Sequence, residues 1–227
     1  MTVATLFPNP TSVIICGSSR PLLNWVAFAL ASASDPAFHW TDVRITGEVP
    51  TPDDLFSRDR IPPERLHLVA PRELTPDDAT ANVAVSAVIR DEETPEELRR
   101  VVEFLRLPHA TQQLLAETES VGSPRVVVLS NGHRLLALYP EVGVVAPTVR
   151  AIVSARVVFI MTFADAPPGG RVAFDTVLHL EGHDPKIWRQ SKLRVEKAPS
   201  TSEFRSGSEV RLADFEPVAA VLSREFL

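Results

Sequence analysis

Residues 12–25 read SVIICGSSRPLLNW, and this stretch decides how the chain begins to fold. The run from Ser12 to Cys16 is β-branched and apolar on both faces, which predicts a fully buried strand. Gly17 provides a turn, and residues 21–33 predict a helix that can accommodate Pro21 in its first turn. Strand, glycine turn and helix form the context of a nucleotide-binding loop, so the residues of this turn decide whether a phosphate can bind there.

Length and composition predict one soluble globular domain spanning residues 1–227. The chain is 44% hydrophobic and 23% charged, with a formal net charge of −6 that argues against a nucleic-acid partner. The single cysteine, Cys16, excludes an internal disulfide and is expected to be a small buried apolar residue. The sequence shows no targeting segment and no membrane span, so we expect a cytoplasmic protein that does not bind membranes.

The remaining pattern predicts an α/β fold, with a mainly parallel sheet flanked by helices and antiparallel strands at the C-terminal end. Strands and helices alternate in the first two thirds, and strands without long helices follow. The expected strands are residues 38–45, 66–69, 125–130, 156–163, 172–180, 191–195 and 209–212. The expected helices are residues 77–89, 94–105, 110–119 and 217–225, with a further helix starting near residue 51.

Three C-terminal segments carry a resemblance to a known family: RVAFDTVLHLEG (171–182), SKLRVEKAPS (191–200) and SGSEVRLADF (206–215). In pattern and element order, from about residue 12 to residue 212, the chain resembles the RecA-like ATPase core and, within it, the KaiC-like branch. The resemblance implies a RecA-like fold. It also implies assembly through the faces that flank the nucleotide site.

The phosphate-binding motif of that family, G-x-x-x-x-G-K-[ST], is only partly present. Gly17 fits its first position, but Leu22, Leu23 and Asn24 stand where glycine, lysine and a hydroxyl residue belong. The missing lysine would neutralise phosphate and the missing hydroxyl would hold Mg²⁺. Arg20 is the only cation nearby, and Pro21 removes one backbone donor.

Other parts of the ATPase machinery are also incomplete. Ser130 and Asn131 follow the apolar run 126–129 where an aspartate is expected, and the glutamate pair of the family is represented at most by Glu48. The resemblance implies a late Lys-x-Arg that reaches a neighbouring subunit; Lys197 fits the lysine, but Pro199 replaces the arginine.

We therefore expect a catalytically inactive RecA/KaiC-like domain that needs no cofactor and acts as a regulatory or assembly subunit. Its partner would be a second copy or a RecA-like protein. Vestigial ligand contacts would come from Gly17, Ser18, Ser19, Arg20 and Glu48. An alternative is a non-standard nucleotide-binding, ATPase-like protein that uses the last four of these residues.

Two other kinds of chemistry are open from the residues. His179, Glu181 and His183 have strand spacing and could hold a metal ion, so a metal-dependent enzyme is a second alternative. Ser130, His133 and Asp175 could belong to a hydrolase, but they lack the G-x-S-x-G context and are more simply scaffold residues. Gly17 alone also fails the dinucleotide pattern G-x-G-x-x-G.

Residues 186–189, KIWR, indicate a protein contact. An apolar pair in an exposed-looking hairpin tip is unusual because such tips are normally polar. We therefore predict an interface that includes Ile187 and Trp188, together with Lys197, for which the resemblance implies a place facing the adjoining subunit.

Overall fold

The computed structural model describes residues 6–8, 11–43, 60–62, 66–70, 84–88, 126–132, 158–165 and 170–226. These residues form an α/β fold with one mixed sheet. The strands are β1 (Thr11–Cys16), β2 (His39–Val43), β3 (Leu66–Ala70), β4 (Ala84–Val88), β5 (Val126–Ser130), β6 (Val158–Phe163), β7 (Thr176–Glu181), β8 (Lys192–Lys197) and β9 (Glu209–Arg211). The α-helices are α1 (Arg20–Ser34), α2 (Gly170–Ala173) and α3 (Glu216–Glu225), and two 3-10 helices span Pro185–Gln190 and Leu212–Asp214.

The sheet has the strand order β4-β3-β2-β5-β6-β1-β7-β8-β9. Strands β1 to β7 pair in parallel, whereas β8 is antiparallel to both of its neighbours. Strand β1 therefore lies inside the sheet, between β6 and β7, which is why every residue of it is buried. The predicted α/β class, the parallel core and the antiparallel C-terminal strands are confirmed.

One hydrophobic core joins a face of this sheet to α1 and α3. From β1 it takes Val13 and Ile15, and from the C-terminal strands it takes residues such as Leu178 and Val195. The other side of the core includes Leu22, Leu23, Val26 and Leu30 of α1, with Val218 and Leu222 of α3. Alternate residues of β1 point to the opposite face, where Ile14 and Cys16 are also buried.

Two sequence predictions about secondary structure are wrong. Residues 77–89 were expected to form a helix, but Ala84–Val88 is a strand paired with β3. The β-branched Val85 and Val88 suit a strand, and pairing with β3 outweighs local helix propensity. Residues 172–180 were expected to form one strand, but α2 occupies Gly170–Ala173 and β7 begins only at Thr176.

The late start of β7 has a structural cause in the pair Ser12 and Asp175. The carboxylate Oδ2 of Asp175 accepts hydrogen bonds from Ser12 N at 3.0 Å and from Ser12 Oγ at 2.8 Å. In return, Asp175 N donates to Ser12 O at 3.1 Å. This closed set of bonds ties the entry of β7 to the beginning of β1.

The predicted helices 94–105 and 110–119 lie outside the described residues.

Candidate functional site

The candidate site lies at the edge of the sheet where the parallel strands β1, β5, β6 and β7 end. In open α/β sheets ligands bind outside the carboxyl ends of the strands, so this edge is where a nucleotide would be expected. The segment 17–19 leaves β1 at this edge, Asn131 follows β5, and His183 follows β7. The serines of this segment contact His183, and the next residue, Arg20, contacts Asn131.

Gly17 is required here for close packing. Its backbone N–H donates to Phe163 O at 3.0 Å, which continues the pairing of β1 with β6 beyond the last strand residue. A Cβ atom at this position would lie 2.9 Å from Leu180 O and 3.0 Å from Leu180 Cβ. Any side chain would therefore push the turn away from β7.

The two serines of the turn are hydrogen-bonded to His183. Ser19 Oγ donates to His183 O at 2.9 Å, and Ser18 Oγ lies 3.2 Å from His183 Nδ1. Because the Ser19 hydroxyl is used in this way, it does not cap α1, although Ser19 stands at the N-cap position. The polar side chains that would face a phosphate instead hold the turn against the end of β7.

Arg20 is bound on the other side of the turn. Its Nε donates to Asn131 Oδ1 at 2.8 Å. Asn131 has a φ of +59°, in the left-handed region that asparagine tolerates better than most residues, and its N–H donates to Thr162 Oγ1 at 3.0 Å. The preceding Ser130 accepts a buried hydrogen bond from Trp40 Nε1 at 3.1 Å. Ser130 and Asn131, identified from sequence as an uncharged replacement for an acidic strand end, thus serve as structural anchors.

Leu22 and Leu23 are buried in the core, with 0% and 3% of their surface exposed. Leu22 packs beside Gly182: a Cβ built on Gly182 would lie 3.0 Å from Leu22 Cδ2 and 2.2 Å from Ser191 Oγ. Leu23 packs toward Gly17, 3.5 Å from the position of a Cβ there. A phosphate-loop motif would have glycine and lysine at these positions, but here both side chains support the packing of α1 on the sheet.

Asn24 occupies the third altered position of the motif. It is 4% exposed, and its Oδ1 has no hydrogen-bond partner among the described residues. An amide oxygen can ligate a cation but cannot replace the hydroxyl geometry of the family, and Asn24 lies within the helix. Glu48, the remaining member of the vestigial set, lies outside the described residues.

The possible metal ligands His179, Glu181 and His183 do not converge. His179 Nε2 lies 2.5 Å from Glu196 Oε2, Glu181 pairs with Arg194 at 3.5 Å, and His183 contacts Ser18. In the ranges that the structure describes, no group of three histidine, cysteine or acidic residues is arranged to hold a metal ion. The described geometry therefore gives no support to a metal site at this cluster, because β7 ends at Glu181 and His183 lies beyond the strand.

The possible hydrolase residues are also separated. Asp175 is bonded to Ser12 where β1 begins, whereas Ser130 lies at the end of β5. Because β1 and β5 run in the same direction in one sheet, Asp175 lies near the amino ends of the strands and Ser130 lies at their carboxyl ends. His133 lies outside the described residues.

Among the residues that the structure describes, Glu196 and Cys16 have clearly shifted pKa values. The hydrogen bond from His179 lowers the pKa of Glu196, and Arg171, whose Nε lies 3.0 Å from Glu196 Oε1, adds to this effect. Burial is the largest cause that raises the pKa of the Cys16 thiol to about 12, and the negative charges of Glu196 and Asp165 contribute to the same rise. Cys16 is a free and buried cysteine, which confirms the expectation of a small buried apolar residue.

The three predicted interface residues have different environments. Ile187 is 49% exposed, as expected. Trp188 is 1% exposed and belongs to the core, so its predicted place at an exposed tip is wrong. The segment forms a 3-10 helix that turns the indole inward and leaves Ile187 outside. Lys197 Nζ donates to Phe174 O at 2.5 Å and to Arg171 O at 3.2 Å, so its ammonium group anchors the end of α2 within its own chain.

Comparisons with known proteins add no family assignment. Neither the models of known protein families nor the curated proteins include a match to this chain.

In the described part of the chain, no helix combines the length and the apolar character needed to cross a bilayer.

Proposed function

We propose that this protein is a RecA/KaiC-like domain that has lost the ordinary MgATP site and acts as a regulatory or assembly subunit through protein contacts. One observation carries the proposal: the side chains of the former phosphate loop are hydrogen-bonded within the chain. Ser18 and Ser19 contact His183, and Arg20 contacts Asn131. The loop is thus engaged in holding β1, β5 and β7 together.

The fold is compatible with this proposal. Strand β1 lies inside a parallel sheet, the loop that follows it leads into α1, and antiparallel β8 and β9 extend the sheet. The α/β class, the parallel core and the antiparallel C-terminal strands support the proposal at this level. A RecA-like domain with a closed loop would keep the faces through which its relatives assemble, so its partner would be a second copy or a RecA-like protein. We also propose a cytoplasmic location, and this part of the proposal rests on the sequence alone.

Non-standard nucleotide binding is disfavoured energetically. For Ser18, Ser19 and Arg20 to face a phosphate, three internal hydrogen bonds would have to open. At about 0.5–1.5 kcal/mol each, this costs about 1.5–4.5 kcal/mol. Such a cost would weaken binding by a factor of about 10 to about 2,000 relative to a loop that is already open.

Thermal unfolding with and without MgATP tests the proposed loss of the site. A ligand that binds only the folded protein raises the melting temperature, and at a hundredfold excess over its Kd it adds about 2.7 kcal/mol. We expect an unchanged melting temperature at millimolar MgATP. An increase that requires Mg²⁺ would instead support the nucleotide-binding alternative. Affinity capture from the native source tests the assembly role, and recovery of neither a second copy nor a RecA-like protein would contradict it.

A further inference from the structure

Strand β9 has one edge that is unpaired among the described residues. It is the last strand in the order of the sheet, and its other edge pairs with β8. The ladder with β8 continues to Leu212, whose N–H donates to Ser191 O at 3.0 Å. Successive residues of a strand direct their N–H and C=O groups to opposite sides. Because the N–H of Leu212 faces β8, the backbone groups of Glu209 and Arg211 face the unpaired edge.

The side chains of β9 carry opposite charges two residues apart. Glu209 and Arg211 are exposed on one face of the strand, and Val210 lies between them on the other face. Lys192 Nζ lies 3.2 Å from Glu209 Oε2, but Lys192 is also the register partner of Arg211, and like charges in such a position are unfavourable. In the described part of the chain no carboxylate pairs with Arg211, and the exposed Asp214 that follows it forms no ion pair either.

A second copy of the chain presents the same edge, and the charges of the two edges match. In antiparallel pairing about a twofold axis at Val210, Glu209 of each copy lies opposite Arg211 of the other. Two residues that face each other with their backbone groups exchange two N–H···O bonds, so the groups left unused by β8 are satisfied. Each Arg211 also gains the carboxylate that its own chain does not supply. Parallel pairing in register would instead place like charges side by side.

We propose that this protein forms a twofold dimer by antiparallel pairing of β9 with β9 of a second copy. The assembly is closed, because each copy uses its single β9 edge and the opposite end of the sheet is a different strand, β4. The contact is short, because β9 has three residues and a 3-10 helix follows it directly. It covers less than the roughly 1,200–2,000 Å² of a stable interface, so the dimer is weak.

The variant Arg211→Pro tests the backbone part of this proposal. Arg211 has a φ of −69°, which proline adopts without strain, and its N–H is not used by β8, so the fold should be kept. The matched control, Arg211→Gln, loses the same charge but keeps the N–H. Sedimentation equilibrium from about 0.01 mM to about 1 mM protein measures both dissociation constants. We expect the value for Arg211→Pro to be roughly tenfold higher than that for Arg211→Gln, because each copy loses one hydrogen bond.

An exchange of charges tests the register of the pairing. Glu209→Arg alone and Arg211→Glu alone each place like charges opposite one another in the dimer, so each should raise the dissociation constant roughly tenfold. The double variant leaves the net charge of the chain unchanged and restores opposite charges in the same register. It should therefore recover most of the lost affinity, as expected for directly coupled residues.

This inference rests on the assembly role proposed above, for which it names a second copy as the partner. It is wrong if Arg211→Pro dimerises as well as Arg211→Gln, because the unpaired edge is then not used. It is also wrong if the double variant dimerises no better than the single variants, or if the wild type stays monomeric at about 1 mM. The proposed function is decided separately, by the MgATP measurement and by capture of a RecA-like partner.

Discussion

Replacing Leu22 by alanine tests whether the segment that follows β1 is packed as part of the core. Leu22 is fully buried and packs beside Gly182 and Ser191. Truncating a buried leucine costs about 2–5 kcal/mol, depending on how far the site collapses. Because Gly182 has no side chain that could fill the space, we expect about 3–4 kcal/mol. With a urea m-value of about 2–3 kcal/mol per molar, the midpoint should fall by about 1–2 M.

Urea denaturation followed by circular dichroism measures this change, and Val172→Ala is the control. Val172 is 85% exposed, so its truncation should change the free energy of unfolding by less than about 0.5 kcal/mol. A loss below about 1 kcal/mol for Leu22→Ala would show that the space around residue 22 is open. The packing account of the loop would then be refuted.

Three further predictions concern individual groups. The Cys16 thiol, whose pKa is raised to about 12, should resist a thiol reagent at pH 8 in the folded protein. It should react fully after unfolding. Fast labelling of the folded protein would contradict its burial. The lowered pKa of Glu196 adds stability above the ordinary pKa of 4.5 that is lost as the pH falls through the lower folded value. Glu196→Gln should therefore unfold with a shallower acid dependence than the wild type, and identical pH profiles would rule out the His179 contact as a source of stability. Gly182→Ala should destabilise the protein because the new Cβ would lie 2.2 Å from Ser191 Oγ and 2.7 Å from Ser191 Cβ. Adding Ser191→Gly in a double variant should restore part of the lost stability. Purely additive effects of the two substitutions on the free energy of unfolding would show that the residues do not clash.

The parts of the fold that follow from local pattern were predictable. The β-branched run of β1 is apolar on both faces, which identifies an interior parallel strand, and Pro21 is compatible with the first turn of α1. Strand β4 was missed because its helix-compatible composition is outweighed by pairing with β3, which no local pattern records.

The sequence predicted the candidate site only through the phosphate-binding residues that it lacks. The sequence identifies Leu22, Leu23 and Asn24 as unsuitable for phosphate, because the required charge and hydroxyl are absent. It does not reveal that His183 and Asn131 hold the loop, since these contacts join residues 164 and 111 positions apart. Trp188 was misplaced for a related reason: its charged neighbours indicate an exposed tip, but the indole of a short 3-10 helix can turn into the core.

Equilibrium titration of the protein with a fluorescent ATP analogue, with and without Mg²⁺, tests the loss of the nucleotide site most directly. The account predicts no saturable binding at micromolar ligand, because Ser18, Ser19 and Arg20 are bonded within the chain and Leu22 and Leu23 are buried. Saturable, Mg²⁺-dependent binding that Arg20→Ala abolishes would contradict the account and would establish this loop as a working nucleotide site.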